Sequence, residues 1–150
     1  MSLVGKLVSQ IDIKISAEKY YKLFKHQPYH LPNVTSIFQN VEVPEGDWDN
    51  HGHGSIKIWH YTVDGKPEVF KEQVAFDDEK YAMTVIGLEG DVFEHYKSFK
   101  ATYQVVPRGP KHSLAVLTLE YEKRHPNSPY PYKYINLMNN VTKDIEFFLM

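Results

Sequence analysis

From Lys6 to Ile15 apolar and polar side chains alternate, with Leu7, Ile11, Ile13 and Ile15 on one side and Lys6, Gln10, Asp12 and Lys14 on the other. That period of two predicts a first strand with one face in water. Ser16 then supplies an N-cap for a short helix in which Tyr20, Leu23 and Phe24 share a face. Pro28 and Pro32 break the chain and leave a second short helical segment over Tyr29 to Val34. Six further strands are predicted near 37–43, 55–63, 68–76, 80–88, 95–106 and 113–123, divided by turn signals such as Asp64-Gly65, Asp77-Asp78 and Arg108-Gly109-Pro110. Short connections make these strands antiparallel neighbours. Within 95–106, Phe99, Ala101, Tyr103 and Val105 face one way and Lys100, Thr102 and Gln104 the other, and Ala115, Leu117, Leu119 and Tyr121 repeat the pattern in the next strand. The strand at 55–63 is ambiguous, because Ile56 and Ile58 alternate against Trp59 and Tyr61 and both faces need cover.

Ser128-Pro129 predicts the start of a final helix, since a proline in the first turn lacks only a donor that would have no partner there. Beyond it Tyr134, Leu137, Met138, Val141, Ile145 and Phe148 form an apolar stripe opposed by Lys133, Asn136, Asn140, Lys143 and Asp144. The sheet is the only large partner for that stripe. The order of elements therefore predicts an α+β fold in which a long C-terminal helix lies across a curved sheet, an arrangement that can enclose a small molecule.

Composition narrows the function. A chain of 150 residues suits one domain spanning 1–150, burying roughly 70% of the surface its unfolded form exposes. Eleven tyrosines, eight phenylalanines and two tryptophans provide walls that are apolar with a hydroxyl at the edge, suited to an amphipathic ligand. A net charge of −2 gives no basic field for nucleic acid. The absence of cysteine excludes disulfides, thiolate metal sites and a cysteine nucleophile. No run approaches the ~20 apolar residues of a membrane span, and the N-terminal residues lack the basic start and apolar stretch of a secretory signal. A cytoplasmic location is the expectation, in which the sequons Asn33-Val34-Thr35 and Asn140-Val141-Thr142 have no role.

Motifs for other chemistry are weak. The glycine-rich stretch from Glu45 to Ser55 lacks the Gly-Lys-Ser/Thr ending of a nucleotide loop and leads into a strand, not a helix. His51 and His53 sit on a glycine-flanked tip without a third ligand, and His26, His30, His60, His95, His112 and His125 are scattered, so neither a metal nor a cofactor is expected. No basic stripe or histidine pair supports a ribonuclease.

Several segments together resemble the major latex protein branch of the birch-pollen-allergen superfamily of plants. They are Pro28-Tyr29-His30-Leu31-Pro32-Asn33, Glu45-Gly46-Asp47-Trp48, Ser55-Ile56-Lys57-Ile58-Trp59-His60-Tyr61, Asp64-Gly65-Lys66, Leu88-Glu89-Gly90-Asp91 and Tyr96-Lys97-Ser98-Phe99, with Tyr121-Glu122-Lys123 before the last helix. The resemblance covers nearly the whole chain and implies the helix-grip, START-like fold: a seven-stranded curved antiparallel sheet gripping the long C-terminal helix, two short helices after strand 1, and a large apolar cavity between. It further implies a carrier of hydrophobic plant metabolites with a role in defence or stress. The alternative is a cofactor-independent cyclase or isomerase of terpenoid or alkaloid specialised metabolism. Combining this fold with strand periodicity gives Trp59, Tyr61, Met83, Val85, Phe99, Ala101, Tyr103 and Leu117 as cavity residues, closed by Tyr134, Leu137, Met138 and Val141. His30 would lie beside the cavity mouth, and His30, Tyr61 or Tyr103 would move a proton if the protein is an enzyme. The expected partner is a terpenoid, steroid, flavonoid or alkaloid-like molecule, bound by a monomer or weak dimer.

Overall fold

Alternation along the strands builds a sheet with one dry, concave side. In the computed structural model, which describes residues 3–44 and 52–150, the elements in order are β1 (Val4–Ile13), α1 (Ala17–His26), a 3-10 turn at Pro28–His30, α2 (Leu31–Val34), β2 (Phe38–Glu42), β3 (Ile56–Val63), β4 (Lys66–Asp77), β5 (Ala82–Gly90), a 3-10 turn at Asp91–Glu94, β6 (Tyr96–Gly109), β7 (His112–Lys123) and α3 (Tyr132–Leu149). The strands form one seven-stranded antiparallel sheet in the order β1-β7-β6-β5-β4-β3-β2. Leu7, Leu119, Ala101, Val85 and Val74 lie in register across five of them, a single apolar row on the helix side of the sheet.

Local chemistry fixes the element ends. Ser16 caps α1 by accepting the Lys19 N–H at 3.2 Å. Asp64 and Gly65 both have positive φ, 49° and 76°, the backbone of a two-residue hairpin turn that matches strand twist. At Gly87 any Cβ would lie within about 3 Å of the Phe93 and Phe70 rings and the Phe99 carbonyl, so this glycine lets Phe70 cross β5 closely.

Two expectations for the last helix are corrected. It starts at Tyr132, not at Ser128-Pro129. A residue before proline is driven out of the helical region, and Pro129 and Pro131 impose that on Ser128 and Tyr130 in succession. Ser128 closes a turn with His125 instead, donating its N–H to the His125 carbonyl at 3.0 Å and accepting the His125 N–H on Oγ at 3.2 Å. Phe148 is 56% exposed and leaves the apolar stripe. The buried face of α3 is rotated toward Ile135 and Thr142, so Leu149 packs in the last turn where Phe148 was expected.

The strand at 55–63 has a clear orientation: Lys57, Trp59, Tyr61 and Val63 are buried, while Ile56, Ile58, His60 and Thr62 are half-buried on the outer side. Hydrogen bonds clasp α3 from several directions. Ser9 reaches Asn139 at 2.7 Å, Tyr20 meets Thr142 at 2.8 Å, Thr35 donates to Asp144 at 2.6 Å and the Lys14 N–H donates to Glu146 at 2.6 Å. Among the described residues no helix is long and apolar enough to cross a membrane.

Candidate functional site

Between α3, the two short helices and the concave sheet lies a pocket with about 80 Å³ of free space. This is far less than the ~300–1,000 Å³ usual for small-molecule sites, and less than the large cavity that the resemblance implies. Aromatic rings account for the difference. Eight of its seventeen lining residues are Phe, Tyr or Trp, reaching in from α1, β2, β3, β4, β6 and α3.

Of the sequence-derived candidates, Trp59, Tyr61, Met83, Val85, Phe99, Ala101 and Tyr103 line the pocket from the sheet, and Tyr134, Leu137 and Met138 line it from the helix. Leu117 and Val141 are fully buried but stand behind that wall, packed in the core. His30 is exposed, with its ring 4.5 Å from that of Tyr29, and is not part of the lining. Phe24, Leu31, Phe38, Phe70, Glu72, Val92 and Leu119 complete the wall and were not expected there. Four of those seven come from α1, α2, β2 and the 3-10 turn before β6, elements whose inward direction is a matter of tertiary placement.

Polar groups in this wall and immediately behind it fall into two sets. Glu68 is the first: its Oε1 accepts the Tyr61 hydroxyl at 2.9 Å and the Tyr134 hydroxyl at 2.7 Å, while Lys133 lies 3.7 Å from Oε2. Burial, reinforced by the Glu68 carboxylate, raises both phenols well above the usual tyrosine range, so both stay protonated as donors. The second set is Glu72, Lys57 and Tyr103. Lys57 and Glu72 are 2% and 3% exposed and sit opposite one another on β3 and β4. Burial pushes the Glu72 carboxyl up to about 8, against the nearby Lys57 and a hydrogen bond from Trp59, and the same burial lowers Lys57. The Lys57 ammonium donates to Ser55 Oγ at 2.9 Å. Tyr103 is raised too, by burial first and then by the proximity of Tyr20 and Glu72.

Sequence reasoning missed the Lys57–Glu72 pair, although it left a signal. Each charge falls in the apolar phase of its strand, and the two are equally distant from the Asp64-Gly65 turn, so hairpin register alone pairs them.

Glu45-Gly46-Asp47-Trp48 and His51 lie outside the described residues. His53 is exposed, and its Nδ1 accepts the Phe76 N–H at 3.0 Å, which ties the end of the loop to β4. Among the described residues no three His, Asp or Glu side chains come together as a metal site.

Residues 2–150 match the family described as pathogenesis-related protein Bet v 1. MLP-like protein 328 of Arabidopsis thaliana is 37% identical over 147 residues, covering 97% of this chain and 96% of that protein. The crystal structure of ginseng major latex-like protein 151 from Panax ginseng superposes with a TM-score of 0.91 at 32% identity, covering 99% of each chain. Norcoclaurine synthase from Thalictrum flavum, in complex with dopamine and hydroxybenzaldehyde, shares the fold at a TM-score of 0.79 and 20% identity, over 98% of this chain and 87% of that one.

Proposed function

The chain belongs to the pathogenesis-related protein Bet v 1 family, and on that premise we propose that it binds and carries a small hydrophobic or amphipathic plant metabolite in a defence or stress response. The observation that carries this reading is the aromatic pocket between α3 and the sheet, whose wall is apolar apart from Glu72 and three phenols. Burial of a ligand there would be driven at roughly 25 cal/mol per Å² of apolar surface, with the few polar groups setting its pose. Because the free space is small, occupancy requires side chains to move aside. Met83, Leu137 and Met138 are unbranched or terminally branched residues that can change rotamer to do so.

The test is displacement of a fluorescent apolar probe by terpenoids, steroids, flavonoids and alkaloids. Saturable binding at one site supports the carrier. A protein that takes up no probe at millimolar concentration is not one.

A second reading, a cyclase or isomerase acting on terpenoid or alkaloid precursors, draws on Glu72 and no longer on His30. A carboxyl held near pH 8 in a water-poor pocket can give or take a proton at neutral pH. Product formation from an arylethylamine and an aldehyde, lost in Glu72→Gln, would favour it. Unchanged reactants would leave the carrier alone.

A further inference from the structure

Three tyrosines line the pocket, and two of them are already engaged by Glu68. Tyr103 differs. It is 7% exposed, its ring packs 4.9 Å from that of Phe24, and among the described residues its hydroxyl has no hydrogen-bond partner. Buried hydroxyls are almost always paired, because desolvating one without compensation disfavours the folded state. A phenol left single in the wall of this crevice is therefore a donor waiting for an acceptor.

Resting on the carrier reading above, we propose that Tyr103 is the group that selects the ligand: an apolar, ring-sized body with a single oxygen, a hydroxyl or carbonyl, that accepts the Tyr103 O–H. Burial keeps the phenol protonated across the physiological range, so it acts as donor and the ligand as acceptor. Glu72, close enough to Tyr103 to influence it electrostatically and part of the same wall, offers a carbonyl oxygen that can accept the hydrogen bond of a ligand hydroxyl in turn. A pure hydrocarbon would leave the phenol as it is and gain only burial. A molecule with several polar groups would have to desolvate the remainder against Phe24, Met83, Val85 and Ala101. The selectivity is thus for one oxygen, not for polarity in general.

The experiment compares 2-naphthol with naphthalene by fluorescence titration, in the wild type and in Tyr103→Phe. The wild type is expected to bind 2-naphthol about tenfold more tightly than naphthalene, and Tyr103→Phe to bind the two equally. Thermal melting of the unliganded proteins provides an independent readout. Removing an unpaired buried hydroxyl should leave the melting temperature of Tyr103→Phe equal to or above that of the wild type, whereas a lowered one means the phenol already has a partner and overturns the proposal. Equal binding of both probes by the wild type, or a naphthol preference that persists in Tyr103→Phe, also overturns it while leaving the pocket as a binding site. Failure of the wild type to bind either probe removes the carrier reading itself.

Discussion

Lys57 and Glu72 place two ionisable groups in the buried interior, and the charge each carries depends on the other. Above pH 8, where Glu72 has given up its proton, Lys57→Met leaves the carboxylate buried without its cation and should lower stability by roughly 3–5 kcal/mol in urea denaturation. The double variant Lys57→Met with Glu72→Leu should recover most of that loss, because two apolar side chains need no compensation there. The pair also makes stability depend on pH. Glu72 holds its proton in the folded state up to about 8 but releases it near 4.5 when unfolded, so between those values the native protein binds more protons. Its contribution is therefore present in full below pH 4.5 and is lost as pH rises through 8. The stability of the wild type relative to Glu72→Gln should fall steadily from pH 5 to pH 8, and a difference that is flat or rising would show that the proton is not held there.

Among the elements, strands were more legible than helix ends. Period-two patterns together with turn signals placed the seven strands, and the inward rows of β6 and β7 are the residues that alternation selects. The α1 cap was equally plain, and Ser16→Ala should cost about 1 kcal/mol, measured by thermal or urea unfolding. The orientation of β3 was hidden because both of its phases carry large apolar residues, Ile56 and Ile58 against Trp59 and Tyr61, and the inward one also contains Lys57. The start of α3 was hidden by a conflict between local rules. Pro129 suits a first turn, yet Pro131 keeps Tyr130 extended, and only the second constraint survives in the fold. His30 was placed beside a cavity by the position of its segment, but the direction of a side chain on a short 3-10 turn is decided by its neighbours, here Tyr29.

For the whole molecule, the order of elements was enough to give the α+β architecture and the identity of the two pocket walls. It could not give the size of the gap between them. That depends on how far Phe24, Phe38, Phe70 and Phe99 lean inward, which sequence period does not encode. At this scale Ala101 is decisive, since it sits in the middle of the five-strand row where a larger residue would occupy the free space. Ala101→Leu should lower probe affinity at least tenfold and leave the melting temperature within a few degrees of the wild type. In the wild type a ligand at a hundred times its Kd should add about 2.7 kcal/mol of stability by mass action. The way α3 is fastened has a kinetic corollary. Asn139, Thr142, Asp144 and Glu146 anchor its later turns to β1, α1 and the α2 end, whereas Tyr134 in its first turns is moored to the sheet through the Glu68 carboxylate. Loosening that one mooring with Glu68→Gln should speed arrival and escape of a guest alike, shortening its residence time while the ratio of the two rates, measured by stopped flow, stays nearly constant.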